Sequence, residues 1–415
     1  MSATRVIFLT QWFDPEPGNI RGLPLARWLA GRGYDVRVLT GVPNYPAGRI
    51  YPGYRIRLWQ REIVDDVSVL RVPLYPSHDG SSIRRVANYT SFALSAATLG
   101  AGLIGSADVV YVYHPPATIG LPAMVLKALR RVPFIFHVAD LWPEAVVDSG
   151  MLQGGVFVRR GVEGGISAWC RILYRLADAI TVISPGFRQR LIERGVPADK
   201  IHVVYNWADE AAFRPRDPEV ALAEELGLAG RFNVVFAGNL GAFQGLESVI
   251  RAAERVKHVP VIQVVLAGSG QKEAELRELA GRLGCTNVRF LGGRDHLEMS
   301  RICALADVLL VHLKDLPFLA TTIPGKTQAA LASGRPILMA ARGDAADLII
   351  RAGAGITCAP EDDAELAAAM VALSRMSGDQ LEAMGARARK FYVDEMSLNV
   401  AGDQMDRLFK AIVGG

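Results

Sequence analysis

Half of the 415 residues are apolar, enough to bury large cores and too apolar for a disordered chain. The net charge of +4 hides an asymmetry, because residues 1–205 carry 23 Lys/Arg against 15 Asp/Glu and residues 206–415 carry 23 against 27. A basic first half suits an anionic substrate or an anionic membrane surface, but no Lys/Arg run interleaved with aromatics marks a nucleic-acid-binding protein.

The four cysteines, Cys170, Cys285, Cys303 and Cys358, are far apart and lack metal-ligand spacing, so they read as reduced thiols of a cytoplasmic protein. No signal peptide precedes Arg5–Thr10, an apolar run that predicts a buried parallel strand. A Pro/Gly loop, Gln11–Gly22, follows it and leads into a helix over Leu23–Gly31. In open α/β sheets the ligand lies beyond the strand ends, where Gly18 and Gly22 allow close backbone approach and Arg21 can meet an anion, unless they only punctuate the loop. Val36–Thr40 predicts the second strand, followed by an aromatic and basic loop that includes Pro43-Asn44-Tyr45-Pro46.

Val86–Ala107 has no charged residue and follows Arg84-Arg85. Its length reaches the roughly 20 residues of a bilayer span, yet Asn88, Thr90, Ser91, Ser95, Thr98 and three glycines dilute it. The expectation is a helix buried in the first domain, with an interfacial helix and a membrane span as the alternatives. Gly100-Ala101-Gly102-Leu103-Ile104-Gly105 matches G-x-G-x-x-G, but a helix precedes it and a strand follows, the reverse of a dinucleotide fold.

Strand and helix patterns then recur at Val109–Tyr113, Leu121–Leu129, Phe134–Val138, Ala179–Ile183, Pro185–Arg194 and His202–Tyr205, predicting an open parallel sheet. Asp140 and Glu144 follow Phe134–Val138, where carboxylates can hold sugar hydroxyls or take a proton, or simply cap the next helix. The polar, proline-bearing stretch Asn206–Pro218 reads as an interdomain linker.

A second α/β series begins at Phe232. Its strands end in Gly238-Asn239-Leu240-Gly241-Ala242-Phe243-Gln244-Gly245, in Gly268-Ser269-Gly270 and in Gly292-Gly293-Arg294. A fourth strand, Val308–Leu313, leads to Thr321-Thr322-Ile323-Pro324-Gly325-Lys326-Thr327, a cap-rich helix start that Gly334-Arg335-Pro336 closes. Unpaired amides, a helix dipole, Lys326 and three threonine hydroxyls are chemistry for a diphosphate. With no P-loop and no aspartate pair for magnesium beside these loops, the pocket is expected to work without metal or other cofactor.

These two serial halves and their glycine loops resemble the family 4 glycosyltransferases of the GT-B fold. Thr10–Pro17, Pro43–Pro46, Tyr51–Tyr54, Val72–His78, Tyr113–Pro116, Asp140–Pro143 and Thr322–Lys326 resemble more narrowly the bacterial N-acetyl-fucosamine transferases of surface-polysaccharide assembly. The resemblance implies an acceptor domain at 1–206, a linker at 207–230, a nucleotide-sugar domain at 231–394 and a C-terminal helix, 395–415, returning to the first domain. It implies retaining transfer of a hexosyl unit from a UDP-sugar to a polyprenyl-diphosphate-linked sugar, by an enzyme peripheral on the inner face of the cell membrane. Asp140 and Lys326 are then the catalytic residues. Donor-binding positions are Gly238, Asn239, Gln244, Gly268, Ser269, Gly270, Gly293, Arg294, Thr322, Ile323, Pro324, Lys326 and Thr327; acceptor-binding positions are Gly18, Arg21, Tyr45, Asp140 and Glu144.

The chain departs from that family in telling places. Its usual pair of donor-side glutamates is replaced by Thr321 and Ala329, its usual lysine after the first donor loop by Gln244, and its usual acceptor-side histidine by Ala139. Lys326 must then carry more of the leaving-group charge, and a deoxy or acetamido sugar would suit the lost carboxylates. A UDP-sugar 2-epimerase of the same fold and a catalytically silent partner subunit are the alternatives.

Overall fold

The computed structural model describes residues 3–17, 20–78, 81–113, 115–148 and 156–414. The chain divides into two units, Met1–Tyr205 with Ala401–Gly415, and Asn206–Val400.

In the first unit, Arg5–Thr10 (β1), Asp35–Gly41 (β2), Gln60–Val64 (β3), Val67–Val72 (β4), Val109–Tyr113 (β5), Phe134–Val138 (β6), Ala179–Val182 (β7) and Ile201–Val203 (β8) form one sheet. The order is β3-β4-β2-β1-β5-β6-β7-β8. Val6 pairs with Val36 on one side and with Val109 on the other, so the winding reverses between β1 and β5. That reversal opens a crevice at the strand ends. Val6, Ile7, Phe8 and Leu9 are at most 1% exposed, as a strand covered on both faces requires. Each such side chain contributes about 1.5–3 kcal/mol of gross burial energy.

The expectation of a purely parallel sheet is corrected at one edge, where β3 runs antiparallel to β4. Asp65 and Asp66 make the two-residue turn, both with positive φ (45° and 65°), as hairpins of this length favour. β3 is half-exposed, so it carries none of the continuous apolar signal of its neighbours.

Val86–Ala107 is not one buried helix. Helix Ser82–Ser95 runs into a π-helical turn, Ala96–Gly100, and a short helix, Ala101–Leu103. One face buries Asn88, Phe92, Ala93 and Ala96, while Ile83, Val86 and Leu94 are 82%, 51% and 58% exposed. Among the described residues no helix is long and apolar enough to cross a membrane. In the rejected G-x-G-x-x-G match Gly100 serves packing, since a Cβ there would come within 2.8 Å of the Leu39 side chain, whereas a Cβ on Gly102 would meet nothing within 4 Å.

The second unit carries Phe232–Ala237 (β9), Ile262–Ala267 (β10), Val288–Gly292 (β11), Val308–His312 (β12), Ile337–Ala340 (β13) and Gly355–Cys358 (β14). They pair in the order β11-β10-β9-β12-β13-β14, each neighbour parallel to the next. Winding reverses between β9 and β12, so the loops after these two strands flank the second crevice. Asn206–Pro218, read as a linker, clusters with this unit, and Phe213 within it is buried. The four cysteines are unpaired.

Candidate active site

At the edge of the second sheet, Gly238 and Gly268 hold φ of 146° and 148°, a backbone that L side chains rarely adopt. Between Gly238 and the helix Gly325–Ser333 lies a cavity of about 310 Å3, lined by residues including Phe213, Gly238, His296, Met299, Lys326 and Ala329. Phe213 meets the His296 ring edge-to-face at 4.9 Å.

Lys326 enters that cavity from the first turn of the helix. Its Nζ lies 3.9 Å from the Phe236 ring centroid and donates to Gln244 Oε1. No carboxylate pairs with it among the described residues. Burial alone pushes its pKa down to about 7, because a desolvated ammonium with only a ring and a neutral amide for company is poorly compensated. Such a group gains by meeting an anion. Gln244, standing where the resembling enzymes carry lysine, thus meets a lysine that arrives from the opposite wall.

The helix begins at Gly325, later than the threonine caps led us to expect. Pro324 is its N-cap and no side chain caps it, while Thr321 Oγ1 and Thr322 Oγ1 donate to the Phe318 carbonyl at 3.0 and 3.3 Å. Thr327 is fully buried and its hydroxyl has no hydrogen-bond partner among the described residues, and Ile323 is buried as well. Asn239, Ser269, Gly270 and Gly293 stand in the glycine loops as expected from sequence, with Asn239 Oδ1 and Ser269 Oγ close against Gly270 and Gly293. Arg294 is engaged locally, donating to the Leu291 carbonyl at 3.1 Å and pairing with Glu298 at 3.0 Å. No group of three or more His, Cys, Asp or Glu is placed to hold a metal ion among the described residues.

The edge of the first sheet is built from side chains. Buried Glu16 accepts the backbone N–H groups of Phe13 at 3.0 Å, Asn44 at 2.7 Å and Tyr45 at 2.8 Å, clamping the loops after β1 and β2 together. Burial raises its pKa and the three amides oppose that shift. Arg71 on β4, wholly buried, pairs with Glu62 at 2.5 Å and donates to the Gly41 carbonyl at 3.1 Å and to the Asp14 carbonyl. Gln11 Nε2 donates to Asn88 Oδ1 at 2.6 Å, and Asn88 Nδ2 donates to the Tyr75 carbonyl at 2.7 Å.

Of the acceptor-side residues read from sequence, Asp140 stands exposed at the end of β6, its carboxyl pushed up by the protein around it. Tyr45 is half-buried beside Trp12. Arg21 is corrected: it is fully buried and donates to the carbonyls of Val204 and Tyr205, so it props β8 and is not open to an anion. Glu144 opens a short helix and pairs with Arg194. Gly18 lies outside the described residues. Sequence reasoning assigned no role to Glu16, Trp12, His78 or Phe213, although the first three stand in its aromatic and proline motifs.

Residues 21–207 match the family of the glycosyl transferase 4-like domain and residues 231–376 match glycosyl transferases group 1. The protein provisionally named as the colanic acid biosynthesis glycosyl transferase WcaI of Escherichia coli K12 is 28% identical over 69% of this chain and 70% of its own length. Glycogen synthase of Mycobacterium tuberculosis is 26% identical over 92% and 89%. Among solved structures, Anabaena HepE in complex with UDP and glucose superposes with a TM-score of 0.69 at 16% identity, covering 98% of this chain and 99% of that one. The chain is a glycosyltransferase of the two-domain GT-B class, a 4-like domain followed by a group 1 domain.

Proposed function

We propose that the protein moves a hexosyl unit, with retention, from a UDP-sugar to a sugar carried on a polyprenyl diphosphate during surface-polysaccharide assembly. The observation that carries this reading is Lys326, with no carboxylate partner among the described residues, in a cavity that Gly238 and Gly325 help to line at a strand-end crevice. The name of the 28% identical relative, a colanic acid biosynthesis transferase, supports the polysaccharide class, and the UDP held by HepE supports the nucleotide. In the reaction, the bond from the anomeric carbon to the diphosphate oxygen breaks and a bond to an acceptor hydroxyl oxygen forms. Negative charge grows on the departing UDP, where Lys326 and the helix terminus stabilise it. The acceptor proton passes to a base, for which Asp140 is our candidate. The replacement of the family's carboxylates by Thr321 and Ala329 favours a deoxy or acetamido donor.

An anionic membrane surface is part of the same reading, since a polyprenyl chain stays in the bilayer. Its support is the outward face of helix Ser82–Ser95, where Ile83, Val86 and Leu94 are exposed and Thr90 Oγ1 donates to its own helix carbonyl of Val86 at 2.8 Å. Exposed Arg55, Arg57 and Arg84 add roughly 1 kcal/mol each near anionic lipid. A screen of UDP-sugars with purified protein tests the reading. UDP is expected to appear only when a lipid-diphosphate sugar is added, and EDTA is expected to leave the rate unchanged. Release without acceptor, or an EDTA block reversed by magnesium, would overturn it. Sedimentation with phosphatidylglycerol vesicles should fall with salt and with Ile83→Ser plus Arg84→Glu; no binding by the wild type removes the membrane element.

A further inference from the structure

Four aromatic rings from four separate segments meet at the edge of the first sheet. Trp12, after β1, and Tyr45, after β2, have ring centroids 4.8 Å apart. His78, beyond β4, meets Tyr45 edge-to-face at 4.7 Å and Trp12 at 6.4 Å. Tyr89, on helix Ser82–Ser95, meets Trp12 at 6.4 Å. All four keep part of their surface in solvent, so this is not a piece of core.

The cluster is held rigid from beneath. Glu16 fixes the backbone of Tyr45, and Asn88, next to Tyr89, is tied both to Gln11 and to Asn44 Oδ1 at 3.2 Å. Polar locks under a half-exposed aromatic surface preorganise it for a ligand.

Arg85 lies one helical turn before Tyr89 and so shares its face. Its Nε is shut off from solvent and has no hydrogen-bond partner among the described residues. No ion pair engages it there either, while its charge is felt at both His78 and Tyr89. Burial first, and Arg85 second, hold the His78 imidazole below its ordinary range, so the cluster adds no second cation at neutral pH. The carboxyl of Asp140 acts electrostatically on both Tyr89 and Tyr113.

An aromatic surface, a guanidinium with unspent donors and a carboxylate match three parts of one molecule. A pyranose has an apolar C–H face for the rings and hydroxyls on its rim for the carboxylate. A diphosphate on its anomeric carbon is a preferred partner of arginine. We infer that Trp12, Tyr45, His78 and Tyr89, with Arg85, form the acceptor subsite, stacking the sugar ring and holding its diphosphate so that a sugar hydroxyl faces Asp140. This rests on the reading that the acceptor is a lipid-diphosphate sugar, and names the residues that select it.

The test measures transfer by the full chain from the UDP-sugar found in the screen to undecyl diphosphates of glucose, galactose, N-acetylglucosamine and N-acetylgalactosamine. Trp12→Ala and Arg85→Gln should each raise the acceptor KM at least tenfold while leaving the donor KM within twofold. Trp12→Phe and Arg85→Lys should recover most of the loss. UDP affinity and the unfolding midpoint of each variant identify any that misfold, and the conservative variants keep the comparison usable. Folded variants with an unchanged acceptor KM overturn the subsite and leave the reading of the acceptor standing. A wild type that binds the UDP-sugar yet uses none of the four overturns both.

Discussion

The two sheet edges solve the same topological problem with different materials. Around Gly238 and Lys326 the wall offers glycine backbone and one cation beside Phe213, His296 and Met299, whereas around Trp12, Tyr45 and Asp140 it is side chains braced by Glu16, Arg71 and Asn88. Backbone amides suit a phosphate, which is alike in every nucleotide, while rings and carboxylates suit a partner that must be told from its isomers. Under the proposed function the first kind of wall falls to the donor and the second to the acceptor.

The largest expected effect tests the backbone wall. Lys326→Ala removes a charge-assisted diphosphate contact of about 1.5–3 kcal/mol, so UDP affinity should fall roughly ten- to a hundredfold by titration calorimetry. An unchanged affinity would put the diphosphate elsewhere.

Next comes the pH dependence of the same contact. Free Lys326 titrates at about 7, and a bound diphosphate favours its charged form, so above pH 7 the complex holds more protons than the free protein. UDP affinity should already be falling at pH 7 and drop toward pH 9 by up to about tenfold per unit. Lys326→Arg, charged throughout, should flatten the profile; a sloping profile in that variant would assign the proton to another group.

A smaller effect probes the braced wall. In Glu16→Gln one acceptor oxygen becomes an NH2 facing backbone N–H groups, and urea unfolding should report a loss of about 1–3 kcal/mol without change in UDP affinity. If UDP affinity falls too, the two edges are not independent. The smallest change is Asp66→Gly, which relieves a left-handed residue in the β3–β4 turn and should stabilise by about 1 kcal/mol.

The backbone wall was largely legible in the sequence because close approach of chain to ligand demands glycine, and glycine spacing survives in one dimension. The braced wall was not, since Glu16 acts on Asn44 and Tyr45 across a long separation and nothing local announces it. Local rules also misplaced the start of helix Gly325–Ser333, because the Phe318 carbonyl takes both threonine hydroxyls that looked like caps. Arg21 failed for a related reason: a loop arginine reads as open to ligands until the carbonyls of Val204 and Tyr205 claim it. β3 escaped notice because a half-exposed edge strand has a short and mixed pattern.

The glycine loops carry one further implication. A Cβ on Gly268 would fall 1.8 Å from the Gly238 carbonyl oxygen, and one on Gly270 would fall 2.5 Å from that of Leu240. The loop after β10 thus nests directly against the loop after β9, and neither can be exchanged alone. Grafting a relative's first donor loop into this chain to alter nucleotide choice should fail unless the second travels with it. If these loops hold the donor, as proposed, its choice is inherited through the interlocked pair and not through either loop alone.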